Sequence, residues 1–219
     1  GFQALAFASG VATVAAVGLL ARTGAGPRRE LHVLVLTGVV VGALASAGTS
    51  LLKVLADPYN QLPTITFWLL GSLAAVRPLD VVALLPAVAL GLGILALLRW
   101  RLDLLTLDDD EARALGTHII RLRAAVVAAA TLMTAATVSL AGNIGWIGLV
   151  VPHLARMVAG PTSSRLLPAA ALLGGAFLLV VDTGARSLAG QELPLGIVMA
   201  LVGAPFFLVL LRRTSGGWR

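Results

Sequence analysis

Residues 142–160 read GNIGWIGLVVPHLARMVAG, and they hold the side chains of this chain best placed to do chemistry. His153 follows Pro152 and Arg156 comes three residues later, which marks a candidate catalytic or metal centre. A metal needs further donors, and no second histidine and no cysteine lies near His153 in the sequence. The sequence therefore favours structural hydrogen bonding for His153 over metal binding. Arg156 either snorkels toward an interface or bonds backbone carbonyls left free by the glycines. An intramembrane enzyme could instead draw on His153, Asp182 or Glu192, but it needs a nucleophile or paired carboxylates within reach. No serine is obviously paired with His153, and the absence of cysteine removes disulfides and thiolate sites. Loss of transport in His153→Ala, rather than loss of lipid or peptide hydrolysis, would separate these readings.

The elements that must carry these residues are membrane helices. The chain has 219 residues, 58% hydrophobic and 12% charged, with a mean hydropathy of +0.97. A soluble domain of this length needs far more polar surface, so this is an integral membrane protein. The net charge of +6 does not indicate nucleic acid, because the basic residues fall in short clusters between apolar runs. A spanning helix needs roughly 20 apolar residues. Candidates are 2–21, 31–55, 81–98, 122–141, 166–186 and 193–211. The run 144–159 is shorter and broken by Gly145, Gly148 and Pro152, so it is a short span or a re-entrant helix. Residues 62–76, opened by Pro63 and closed before Pro78, are too short to span and are placed near one surface. The runs lack the polar–apolar alternation of barrel strands, so the class is all-α.

Arginine placement sets the orientation. Arg22, Arg28 and Arg29, then Arg99, Arg101, Arg113, Arg121 and Arg123, then Arg165, and finally Arg212, Arg213 and Arg219 fall on one side if 144–159 crosses. Lys53, Arg77 and Arg186 fall on the other. The richer side is assigned to the cytoplasm, with the C-terminus there and seven crossings. The N-terminus is then outside. With Gly at position 1 and no visible signal peptide, further spans upstream are expected.

The long loop on the basic side, 99–121, reads RWRLDLLTLDDDEARALGTHIIR from Arg99. Acidic residues favour a helix start and Gly116 can stop one, so one or two short helices lying along the membrane are expected. As a bare sequence it is either a solvated connector or a docking element. Leu104, Leu105, Leu107 and Leu115 need cover that water does not give.

Five motifs then line up in order. Residues 142–160 resemble the GPIGFVGLIVPHIARLLVG signature of the FecCD-type permeases, the membrane subunits of type II ABC importers for iron-siderophores, haem and cobalamin. LLTLDDDEARALG (104–116) is similar to their LLSLGDEAARSLG, and FWLLGSLA (67–74) to FWLMGSLAG. VVDTGARSL (180–188) resembles their Asp-x-x-Ala-Arg stretch, and ELPLGIVMALVGAPFF (192–207) resembles ELPVGIVTALIGAPFF. The match runs from about 31 to 213. Asp108 departs from the usual Gly, Asn143 from Pro or Ala, and Trp146 from Phe.

The resemblance implies a single permease domain over 1–219, seven of roughly ten spans, with 99–121 as its cytoplasmic coupling loop. The implied assembly is a homodimer in the bacterial inner membrane, joined by a cytoplasmic ATPase dimer and a periplasmic or lipoprotein binding protein. ATP and magnesium belong to the ATPase, and no GxxxxGK[ST] phosphate loop occurs here. Leu104, Leu107, Asp109, Asp110, Ala112, Arg113, Leu115 and Gly116 are implied as the ATPase contact. Thr37, Gly38, Gly42, Ser46, Thr49 and Ser50 are implied to line the translocation path, where small residues also permit plain helix packing. Arg186 is implied to dock the binding protein, against the alternative of an interfacial snorkelling arginine. Asp182 can pair with it at i, i+4, and Glu192 can cap the last span. Gly142, Gly145, Gly148, Pro152, His153 and Arg156 are then a structural signature rather than a chemical centre. A proton-coupled secondary carrier remains the alternative, and it would transport without a partner ATPase. Its intramembrane carboxylates are missing from 31–55. Residues 1–219 alone are expected to be inactive.

Overall fold

A computed structural model describes residues 2–22, 30–188 and 193–214, with the side chains of 21–22, 30–32, 34 and 209–214 left aside. Nine α-helices and one 3-10 turn are found among the described residues. They are α1 (Phe2–Arg22), α2 (Glu30–Leu55), α3 (Gln61–Leu70), α4 (Pro78–Leu102), the turn Asp103–Thr106, α5 (Asp109–Ala114), α6 (Ile119–Ala141), α7 (Ile147–Ala159), α8 (Ser163–Leu188) and α9 (Leu195–Thr214). Five helices are long and apolar enough to cross a membrane, and α7 and α9 add two shorter apolar helices. Together they match in number the seven apolar runs expected to cross.

The expected piece 62–76 is shorter than its apolar run. The helix there ends at Leu70, because Gly71 takes a left-handed φ of 71° and its N–H donates to the Trp68 carbonyl at 3.2 Å. Gly91, by contrast, sits inside α4 and is buried. Proline is carried within α4, α7, α8 and α9, at Pro86, Pro152, Pro168 and Pro205. Neighbouring helices make such positions tolerable at membrane depth.

α6 is the centre of the bundle. It packs against α4 on one side and α1 on the other. Its buried residues are small along most of its length: Ala129, Ala135, Ala136 and Ser139 lie between Leu122 and the helix end. Lipid tails are as apolar as leucine, so helices in a membrane associate through close packing, and small residues allow it. A Cβ on Gly10 of α1 would lie 3.2 Å from the Ala135 Cβ, and one on Gly91 of α4 would run into Met133. The buried hydroxyl of Ser139 is satisfied within its helix, donating to the Ala136 carbonyl at 2.7 Å. α7, α8 and α9 form a second group around Val181, Ala185, Leu195 and Met199.

The connections separate two ends of the bundle. At one end lie the start of α1, the end of α3, the end of α6 and the start of α9: Phe2 meets Trp68 edge to face at 5.4 Å, Ser72 N–H donates to the Ala141 carbonyl and Leu195 N–H to the Gly71 carbonyl. At the other end lie the acidic loop and the start of α8, joined by Asp103 and Ser163. α7 begins at the first end and leads through Gly160 to Ser163 at the second. The run 144–159 therefore leads from one end of the bundle toward the other, with a 13-residue helix of about 20 Å.

Candidate functional site

The first end is built by glycines. Gly142 ends α6 with φ 70° and Gly71 ends α3 with φ 71°. A Cβ on Gly142 would collide with the Trp68 carbonyl, and one on Gly71 would sit 2.7 Å from the Asn143 carbonyl oxygen. A Cβ on Gly196, in the first turn of α9, would collide with the Leu70 carbonyl. Three backbones thus touch without side chains between them, locked by the two hydrogen bonds from Ser72 and Leu195, each 2.9 Å. Trp146 then opens α7 with φ 67°, the one non-glycine in the left-handed region among the described residues. That conformation costs an ordinary residue roughly 1–3 kcal/mol unless its surroundings enforce it. The enforcement comes from α9, where a Cβ on Gly203 would sit 2.7 Å from the Trp146 Cβ and Phe207 takes the indole edge on at 6.5 Å.

The two side chains that looked most chemical make no site. His153 is half-buried and Arg156 exposed, and neither side chain forms a hydrogen bond or ion pair among the described residues. Among the described residues, the hydrogen bond expected of His153 and the carbonyl contact weighed for Arg156 are therefore not made. The Ala141, Gly145 and Trp146 carbonyls beside the glycines accept from backbone N–H groups. No group of three metal-ligating side chains occurs among the described residues.

At the second end the acidic loop folds as a 3-10 turn followed by α5. Asp108 is the N-cap in extended conformation, and Asp109, Asp110 and Glu111 fill the first turn, where negative charge meets the free amides. α5 stops in a Schellman motif: Gly116, φ 76°, donates to the Arg113 carbonyl at 2.9 Å and Thr117 to Ala112 at 3.2 Å. Ala112 is fully buried, so α5 lies with one side on the bundle. Asp109 accepts from Arg123 of α6 at 3.3 Å, and Arg113 reaches back to Asp110 at 3.2 Å. Leu104 is half-buried, while Leu107 and Leu115 are 38% and 63% exposed. The loop thus presents leucines and carboxylates outward from a fixed base. Of its eight singled-out residues, Ala112 faces inward, Gly116 serves the turn and Asp109 the anchor.

These geometries coincide with one family. The model of the FecCD transport family matches residues 1–213. The chain belongs to the FecCD transport family. The molybdate import permease of Haemophilus influenzae is 41% identical over 190 residues, covering 87% of this chain and 56% of that protein. The cobalamin import permease of Halobacterium salinarum is 42% identical over 212 residues, covering 97% of this chain and 56% of its own length. A solved metal-chelate type ABC transporter in an inward-facing conformation superposes with a TM-score of 0.85 at 40% identity, over 91% of this chain and 63% of that one. The chain spans about 56% of the curated relatives it matches here. It is a multi-pass membrane protein with the helical fold of such permeases.

Within this family fold, the six path candidates lie on α2, which packs only along α1 to any extent. Thr37 and Thr49 are half-buried, and Gly38, Gly42, Ser46 and Ser50 are exposed. A Cβ on Gly38 or Gly42 would meet nothing within 4 Å. Among the described residues these hydroxyls make no bond across helices. Thr49 donates to the Ala45 carbonyl at 2.8 Å and Ser50 to Ser46 at 2.9 Å, within α2 itself. At the glycine end, Arg186 of α8 donates to Asp182 at 2.9 Å, the i, i+4 pair expected from spacing. Glu192 and its proposed cap lie outside the described residues. Gly145 and Gly148 have open space around them, so the close contacts of the signature fall on Gly142. Gly71, Gly196, Gly203, Asp103 and Arg123 were not singled out by sequence. The glycines stand inside two of the matching motifs, whereas Asp103 and Arg123 find their partners only through folding.

Proposed function

We propose that this chain forms the larger part of the membrane-spanning permease of an ATP-driven importer. The cargo is a metal chelate of the siderophore or haem class, or cobalamin. The observation that carries this reading is the 0.85 superposition on a metal-chelate type ABC transporter at 40% identity. Relatives named for Fe(3+) dicitrate in Escherichia coli and for hemin in Yersinia pestis, at 39% and 37% identity, support the cargo class. The glycine end faces outward, with Arg186 offered to a binding protein, and the basic end with the C-terminus faces the cytoplasm.

The mechanism is mechanical and no residue of this chain is asked to do covalent chemistry. A separate ATPase dimer closes on ATP and displaces the loop 103–118. Leu107 and Leu115 seat on the ATPase, as exposed leucines beside carboxylates fit a groove with apolar floor and basic rim. A second permease copy faces α2, whose wall of Gly38, Gly42, Ser46 and Ser50 is smooth and weakly polar. Such a wall lets a bulky chelate pass without holding it. The test is ATP-dependent uptake in proteoliposomes holding the full-length permease, its ATPase and its binding protein, with ferric citrate, hemin and cobalamin as cargo. Uptake of one of them that requires ATP supports the reading. Gradient-driven uptake without the ATPase replaces it by the secondary carrier.

A further inference from the structure

The acidic loop is tied to the bundle at two points of different character. On α5, Asp109 reaches Arg123 at 3.3 Å, a contact between two partly exposed side chains. In the 3-10 turn, the Oδ1 of Asp103 accepts the backbone N–H of Ser163 at 2.9 Å, across 60 residues of sequence. Ser163 is the first residue of α8, where amides have no helical carbonyl to bond. The loop supplies the acceptor that α8 lacks, and it does so with a negative charge at the positive end of the helix. A bond to a backbone at a helix terminus moves the helix itself, whereas a bond between side chains is absorbed by rotamers. α8 then runs 26 residues, about 39 Å, and carries the pair Asp182–Arg186 near its far end.

We propose that Asp103 is a positioning residue of the transport cycle: its bond to Ser163 makes the acidic loop and α8 move together, linking the ATPase contact to the outer end. The proposal rests on loop 103–118 being that contact. Coupling free energies are reciprocal, so docking of the binding protein outside must reach the ATPase by the same bond.

The experiment uses the full-length permease with its ATPase and binding protein in proteoliposomes. The readout is the ratio of ATP hydrolysis with binding protein to hydrolysis without it. Asp103→Ala removes the acceptor. Ser163→Pro removes the donor at a first helical position, where proline is accepted. Each lowers the ratio by on the order of fivefold or more, and the double variant falls no further than either single. Asp103→Asn keeps an acceptor oxygen and keeps most of the ratio. An unchanged ratio in Asp103→Ala and Ser163→Pro overturns the proposal, as do losses that simply add in the double variant. If one single variant no longer co-purifies with the ATPase, the ratio of the other decides. If neither co-purifies, the bond only holds the loop in place and the proposal fails. Leu107→Asp separates the two readings. A ratio unchanged there sinks the ATPase contact, while a ratio lost there and kept in Asp103→Ala sinks this proposal alone.

Discussion

At the scale of single residues, glycine matters in this chain where a carbonyl occupies the place of a side chain. Gly142 and Gly148 belong to one motif, yet their surroundings differ. A Cβ at Gly142 meets the Trp68 carbonyl at a left-handed φ, while a Cβ at Gly148 meets nothing within 4 Å. Gly142→Ala is expected to destabilise the permease by about 2–6 kcal/mol, from strain and overpacking together. Gly148→Ala should leave thermal unfolding in detergent almost unmoved, and equal shifts in the two variants would sink the distinction. The ion pair Asp182–Arg186 has a half-exposed arginine, and such pairs contribute little. Asp182→Ala should change stability by less than about 1 kcal/mol. Arg186→Glu should weaken the binding protein's docking, read as a slower-forming complex that salt no longer suppresses.

At the scale of elements, helix existence was legible because long apolar runs cannot be anything else in a membrane. The ends of α3 and α7 were less legible. Gly71 stops α3 with a left-handed turn, and the backbones packed there, Asn143 and Leu195, are both distant in sequence. His153 and Arg156 attracted attention by residue type, but partners decide chemistry, and the fold gives them none among the described residues. Asp103 had no periodicity or spacing to mark it, since its partner begins another helix. The acidic loop was read more fully: Asp108 to Glu111 start α5 and Gly116 stops it. Leu107→Asp and Leu115→Asp are expected to leave the bundle folded and to cut uptake per ATP hydrolysed at least tenfold. Unchanged coupling in both would remove the loop from the ATPase contact.

At the scale of the whole molecule, α2 is the unfinished part. Its apolar residues Val35, Leu36, Val39 and Leu44 are exposed, and its glycines look into open space. Lipid accepts such a surface, and so does a second copy, while Thr49 and Ser50 turn their hydroxyls back onto their own helix. Cysteine placed at Ser46 in the full-length permease should cross-link two copies across the path. Absence of any cross-link along positions 38, 42, 46 and 50 would move the path away from α2. Gly42→Leu should spare folding, because nothing lies within 4 Å, and should reduce uptake of a bulky chelate by narrowing the wall.

The contrast between the two ends of the bundle reaches the conditions under which the protein works. The glycine end is clamped by shape: Gly71, Gly142 and Gly196 admit backbones, and its hydrogen bonds are amide to carbonyl. Nothing in that clamp titrates, and dissolved ions have no charge there to shield. The loop end is held by charge, through Asp103 and Asp109–Arg123. Exposed charges separated by more than a Debye length, about 8 Å at physiological ionic strength, lose each other's influence, and closer exposed pairs weaken as salt rises. Concentrated salt will therefore slacken the loop end while the glycine clamp stays shut. Amide exchange measured across a salt series should show the loop opening before the glycine clamp.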